Sequence, residues 1–368
     1  PPALAARRDL PALLALRLWP VTFKTLGLLG LFLLTLWAGY GFSVGRLVSD
    51  PDSPLLHVVS DALFLPFEDM RSLLSREVYP LSELVKGVVE VASHNTEGHR
   101  AYLLGRVSDT GWWYYYPVAL ALKLPLVVSG LWVLGAGWLV MGWRRHGIHV
   151  PALAVLTVPL AVLLAAMLVS NINIGVRHIL PVLPFGAVAC GHALQRMLAH
   201  KGAVMLLGGL AAAMVCLTSL LAHPDYLSFF NLLARDKPYR YLVDSDLDWG
   251  QNLGAVAGRL RELEAQEIHL AFLSSPELSP RTRPLMRPRM QAALGLPDLT
   301  DITMPADLPC EIRGWVAIDA TLLLTRERFG WLRDRKPVEV VKDSFFLYHF
   351  DRPVRTGDDR EGVPWPDD

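Results

Sequence analysis

The sequence predicts an α-helical polytopic membrane bundle of about five spans, followed by a small α/β domain on the extracytoplasmic side. Three observations predict it. Uncharged apolar runs recur at the ~20-residue length that a bilayer crossing needs. Counting five of them places the basic clusters between them on one side. After Ala222 the composition changes, and charges and prolines return at the density of a soluble domain.

The runs lie near residues 25–42, 124–143, 150–169, 179–194 and 202–222. Thr25–Phe42 carries no charge, and Lys24 stands at its edge, where its ammonium reaches the headgroups. Leu124–Trp143 and Val150–Val169 are uncharged, the second despite two prolines. Gly202–Ala222 is rich in Gly and Ala, which lets helices approach closely. Ile179–Leu194 is shorter and contains His192 and two prolines, so it reads as a span or as a re-entrant segment. Arg7, Arg8, Arg17 and Lys24 precede the first run, Arg144 and Arg145 join the second to the third, and Arg196 and Lys201 join the fourth to the fifth. With five spans all of these face the cytoplasm, and omitting the fourth would divide them between two sides. The loop 43–122, the loop 170–178 and everything after Ala222 then lie outside. The expected location is a bacterial cytoplasmic (inner) membrane.

Composition narrows the class. Of 368 residues, 52% are hydrophobic and the formal net charge is zero, which gives no reason to expect a nucleic-acid partner. Three cysteines do not make a disulfide framework. The chain begins at Pro1 rather than Met, which predicts a natural N-terminus further upstream. It carries no phosphate-binding glycine loop, no Gly-rich dinucleotide loop, no His-Glu-x-x-His and no Cys-x-x-Cys.

In the outer loop, Leu81, Leu84, Val85, Val88 and Val91 repeat at helical spacing, the pattern of a surface helix. The aromatic run Trp112-Trp113-Tyr114-Tyr115-Tyr116 reads equally as an interfacial anchor or as a platform for sugar rings or isoprenyl chains. Lys123, Arg177 and His178 are cations beside apolar runs. They either snorkel to bulk phospholipid or bind an anionic headgroup, for which Arg offers a planar donor fork and His a second, titratable donor. Asp244, Asp246 and Asp248 alternate just before a stripe of Leu253, Val256, Leu260 and Leu263. That pattern fits a helix cap, a divalent-cation site or a substrate contact. Beyond it, a helix over Gln251–Ala265 and strands at Glu267–Ser274, Gly314–Ala320, Val338–Val341 and Ser344–Phe350 form the α/β domain of residues 223–350. Arg281–Pro288 reads as a loop, and residues 351–368 as a disordered tail.

Five segments in order carry a resemblance: Gly98–Gly105, Gly111–Pro117 with Lys123-Leu124-Pro125, Asn173–Pro181, His223–Asn231 and Asp244–Gln251. Together they resemble the C-terminal portion of bacterial membrane glycosyltransferases of the GT-C type. The most similar group is the family-39, protein-mannosyltransferase-like or phospholipid-carrier-dependent enzymes. Asp246 and Asn252 stand where a typical member would carry Asn and Asp. The resemblance implies transfer of a sugar from a polyprenyl-phosphate donor to an acceptor hydroxyl on a protein, lipid or glycan, at the outer face of the membrane. It implies no cofactor beyond an optional divalent cation. Lipid phosphate would meet Arg177, His178 and Lys123, and donor or acceptor would meet His99, Arg100, Trp112, Trp113, Tyr114, Asp244, Asp248 and Trp249. The usual catalytic base of such enzymes is an acidic residue in their first outer loop, expected here upstream of Pro1. Asp61, Glu68 and Asp69 do not match that motif. The rival readings are a non-catalytic membrane protein with a docking domain and a lipid-linked sugar transporter. The latter class usually shows internal repeats, and none is visible here.

Overall fold

A computed structural model describes residues 10–47, 78–146, 150–272, 295, 298–303 and 308–356. The chain divides into two compact units, Pro1–Glu97 and Gly98–Asp368. The first contains α1 (Leu10–Gly39), the short pair β1 (Val44–Gly45) and β2 (Tyr79–Pro80), and α2 (Ser82–Glu97). The expected amphipathic helix is thus present as α2, with Val88 and Val91 exposed. Asp61, Glu68, Asp69 and the Arg281–Pro288 loop lie outside the described residues.

The second unit opens with a hairpin of β3 (Ala101–Leu103) and β4 (Arg106–Ser108), followed by α3 (Tyr115–Lys123). Four apolar helices come next: α4 (Leu126–His146), α5 (Val150–Val169), α6 (Val182–Leu198) and α7 (Ala203–Leu221). Leu126–Arg144, Ala152–Val169 and Ala203–Leu221 are long and apolar enough to cross a membrane. In the first unit, Lys24–Gly39 is a shorter apolar helix. Helix α6, at 17 residues and with Arg196 in its last turn, is shorter than those three. Short connections make neighbouring helices antiparallel. The starts of α4 and α6 therefore lie at the same end as the finishes of α5 and α7, and Arg144, Arg196 and Lys201 lie at the other.

Helix α6 is the centre of this bundle and packs on α4, α5 and α7. The α4–α6 contact is close because both faces are small. A Cβ on Gly135 would stand 1.9 Å from the carbonyl oxygen of Ala189, and one on Gly186 would meet the Trp132 ring at 2.9 Å. Without a hydrophobic effect between helices in lipid, such backbone approach is what association rests on.

After α7 the chain enters the α/β part: α8 (Leu253–Glu262), β5 (Glu267–Ala271), β6 (Asp298–Asp301), β7 (Glu311–Asp319), α9 (Ala320–Thr325), α10 (Gly330–Arg333), β8 (Glu339–Val341) and β9 (Phe345–Arg355). The sheet order is β6-β5-β7-β9-β8. The first three strands are parallel, and β9 runs antiparallel to both β7 and β8. The expected strands are therefore present, and β9 extends through Arg355, into the segment read as a tail. Asp319 caps α9, its carboxylate accepting from the Leu322 N–H at 2.6 Å.

Side chains alternate across a strand, and here both faces are buried. Phe345 and Leu347 face Leu253, Val256, Ala257 and Leu260 of α8. Phe346 and Tyr348 face the opposite way, into a second core with Tyr102, Leu103, Tyr115, Tyr116, Ile179, Val182 and Leu242. That second core runs from the sheet to α3 and the first turn of α6. Packing therefore does not break at Ala222, and the α/β part is fused to the end of the bundle. The pair Tyr115 and Tyr116 is 1% and 0% exposed, so two of the five aromatics in the run are protein core rather than interface.

Gly135→Ala is expected to destabilise by about 1–3 kcal/mol, because neither backbone can yield without moving a helix. Gly130→Ala, with open space around it, should be neutral. Thermal unfolding of the two variants in detergent checks this, and equal midpoints would refute the close-packed α4–α6 contact.

Candidate functional site

The five resembling segments are far apart in sequence and meet in space at the junction of bundle and sheet. Asn231 fixes the first contact. Its amide donates to the carbonyls of Ala121 at 2.6 Å and Leu124 at 2.8 Å, taking up acceptors left open at the C-terminal end of α3. Its backbone N–H donates to Leu122 O at 2.9 Å. The Trp112 N–H donates to Asn173 Oδ1 at 2.6 Å, which ties the aromatic run to the loop before α6. The β3–β4 turn is held by the Leu104 N–H on Tyr241 O at 2.9 Å.

Asp246 lies at the middle of the cluster and is 1% exposed. Its Oδ1 accepts from the Val176 N–H at 3.0 Å and its Oδ2 from the Tyr115 hydroxyl at 3.2 Å. Lys123 Nζ donates to the Asp246 carbonyl at 2.5 Å and to Leu227 O at 2.7 Å, and lies 4.4 Å from the centre of the Phe230 ring. Burial pushes the Lys123 ammonium down to about 8, against the opposing pull of Asp246. Burial likewise raises Asp246, while Lys123, the Val176 N–H and Tyr115 hold it down. The Tyr115 hydroxyl is raised by burial first and by Asp246 second.

The loop before α6 passes so close to this turn that only glycine fits at position 175. Its φ is 146°, and a Cβ there would stand 2.3 Å from Ser245 Oγ. Ser245 Oγ donates to the Ile174 carbonyl. Asp244 has φ 60°, in the left-handed region that Asp tolerates better than most residues, and its N–H donates to Thr321 Oγ1 at 2.9 Å. Its own carboxylate accepts from the Ser245 N–H at 2.6 Å. Burial raises Asp244 to about 6, opposed by that bond and by Arg177, and reinforced by Asp246.

The sequence-selected residues separate into groups. Arg177 and Trp249 come together at the edge of the Asp244–Asp246 turn, with the guanidinium 4.5 Å above the indole ring. Arg177 is exposed and makes no hydrogen bond or ion pair with any described residue; His178 beside it is also exposed. Lys123 is engaged with the Asp246 and Leu227 carbonyls. Asp248 is taken up structurally: Oδ1 accepts from the Gly250 N–H at 2.7 Å, and Oδ2 from Ser344 Oγ at 2.5 Å, which in turn accepts from Asn252 Nδ2 at 2.9 Å. Arg100 pairs with Glu327 at 3.0 Å and approaches Asp109 at 3.7 Å, and His99 Nδ1 lies 3.0 Å from Arg100 O. Trp113 is 66% exposed, and Trp112 and Tyr114 are half-buried against the core.

One sequence reading changes. The acidic triplet does not cap α8, whose N-cap is Asn252 without a side-chain bond. Instead Asp244–Asp246 forms its own 3-10 turn, and the three carboxylates diverge to different partners. Among the described residues no group of three or more His, Cys, Asp or Glu is arranged to hold a metal. Sequence reasoning had no means of finding Asn231, Tyr115, Thr321 or Ser344 as organisers. Each acts on a partner 77 to 131 positions away, which leaves no local spacing to read.

Comparison of the chain with known protein families, curated proteins and solved structures finds no match.

The raised Asp244 predicts a pH dependence. Its folded carboxyl keeps a proton between the ordinary 3.8 and about 6, where the unfolded chain has lost it. Stability is therefore fully present below the ordinary value and falls as pH rises toward 6, by ~3 kcal/mol at most for this group. Asp244→Asn should flatten Asp244's share of that slope when unfolding in detergent is followed from pH 4 to 7. A slope identical to wild type would show that Asp244 is ionised throughout.

Proposed function

We propose that the chain is part of a membrane glycosyltransferase that moves a sugar from a polyprenyl-phosphate donor to an acceptor hydroxyl on the extracytoplasmic face. One observation carries the reading. Arg177 is an exposed cation without a hydrogen-bonded partner among the described residues, held over Trp249 at the end of apolar helices and beside a buried carboxylate pair. A guanidinium in that setting suits a lipid phosphate, whose charge grows as the glycosidic bond breaks. The indole ring and the exposed Trp113 are suited to the apolar face of a sugar or to a prenyl chain. His178 would supply a second donor to the phosphate. Lys123, with its nitrogen engaged by two carbonyls, would act through its charge.

The five-span arrangement belongs to this proposal. In the four-helix part, Arg144, Arg196 and Lys201 gather at the end away from the sheet, as the positive-inside rule requires if α6 also spans. The sheet and the Arg177 site would then lie outside, where a lipid-linked donor presents its sugar. The acceptor would be a hydroxyl on a protein, lipid or glycan.

Arg177→Ala is expected to lower transfer from a polyprenyl-phosphate sugar by about 100-fold in kcat/KM. The unfolding midpoint should not change, since the side chain is exposed. Radiolabelled donor assayed in native membranes measures the first, and thermal unfolding in detergent the second. Unchanged transfer and unchanged donor affinity would remove the phosphate role. Absence of transfer by the wild-type protein across a panel of lipid-linked sugars would remove the glycosyltransferase reading itself.

A further inference from the structure

A cavity of about 440 Å³ lies at the sheet-side end of the bundle, and Trp249 is not among its lining residues. Its volume is within the ~300–1,000 Å³ typical of small-molecule sites. One wall is apolar and is made by the first turn of α4 and the last turns of α7, including Leu126, Leu217 and Leu221. Leu217 and Leu221 are 46% and 72% exposed, so this wall continues along α7, one of the three helices apolar enough to cross a membrane. The other wall carries four charges: Asp225, Arg235, Lys342 and Asp343.

These charges are not equivalent. Lys342 and Asp225 bond to each other at 2.8 Å and so neutralise one another. Arg235 and Asp343 make no hydrogen bond or ion pair with each other or with any other described residue. Asp343 stands in the β8–β9 turn with φ 54° and is exposed. Both side chains are exposed and so are open to a ligand of opposite charge. Partial burial raises the Asp343 pKa, and nearby Asp236 adds to the shift.

We infer that this cavity binds a phospholipid with a zwitterionic, primary-amine headgroup. The phosphate would sit on Arg235, the ammonium on Asp343, and the acyl chain along the leucine wall of α4 and α7. Charge complementarity selects this occupant. An anionic lipid would satisfy Arg235 but leave Asp343 facing an added negative charge. A quaternary-amine lipid would bring the positive charge without N–H donors for the carboxylate. A lipid seated here would bridge α4, α7, the 225–238 segment and the β8–β9 turn. This site takes no residue from the proposed Arg177 site, so each can fail independently.

The test uses the purified chain in detergent, titrated with phosphatidylethanolamine, phosphatidylglycerol or phosphatidylcholine of identical acyl chains, with binding read by native mass spectrometry. The ethanolamine lipid is expected to bind about tenfold more tightly than either of the others, as a charge-assisted bond demands. Asp343→Asn should abolish that preference, Arg235→Gln should weaken all three lipids, and Leu217→Trp should block all of them by filling the cavity. Equal wild-type affinity for the ethanolamine and glycerol lipids would overturn the inference. So would a preference that survives in Asp343→Asn. The wild-type comparison alone decides the matter if a variant fails to fold.

Discussion

The buried carboxylate of Asp246 is the constraint on which the junction depends. It takes one hydrogen bond from the loop before α6, through Val176, and one from α3, through Tyr115. Its backbone carbonyl takes a third from Lys123 at the end of α3. Three segments that share no sequence neighbourhood are thereby joined at one residue. An ionised carboxylate is acceptor-only, so two donors aimed at its two oxygens suit it well. Asn at this position would place an amide N–H against one of those donors. This gives a physical reason for Asp where the resembling family would carry Asn, and the reason is structural rather than catalytic. The cost is desolvation, visible as the raised pKa of Asp246 and the lowered pKa of Lys123, each offsetting the other.

The second determinant is the sheet with two buried faces. Because Phe345, Phe346, Leu347 and Tyr348 are all buried and point alternately to two cores, β9 belongs to the α8 layer and to the helix-bundle layer at once. An unpaired tail domain would need only one such core. With two, displacement of the bundle end is coupled to the sheet, and the Arg177 site is built on elements held from both sides. Rigidity of this kind is what a site that must hold a ligand in one geometry requires.

Much of the architecture was legible because it is periodic. Apolar runs gave the helices, the stripe Leu253, Val256 and Leu260 gave α8, and alternation gave β5. What resisted reading was chemistry fixed by distant partners. Tyr115 and Tyr116 look like interfacial aromatics until the sheet is found lying on them. Asp244, Asp246 and Asp248 look like a cap or a metal triplet because their spacing is regular. Their carboxylates in fact serve Ser245, Val176 with Tyr115, and Gly250 with Ser344.

Lys123 and Arg177 show how burial separates two cations that the sequence treats alike. Lys123 directs its nitrogen into the protein, bonding two carbonyls and an aromatic face, and burial has moved its pKa toward neutrality. An incoming phosphate would have to compete with those bonds, so the contribution of Lys123 to such a ligand is a field rather than a contact. Arg177 makes no hydrogen bond with any described residue, and its guanidinium carbon lies 4.5 Å from the centre of the Trp249 ring. The cation–π contact therefore holds the side chain beside Trp249 while no described residue takes a hydrogen bond from it, the reverse of Lys123, whose nitrogen is bonded to two carbonyls.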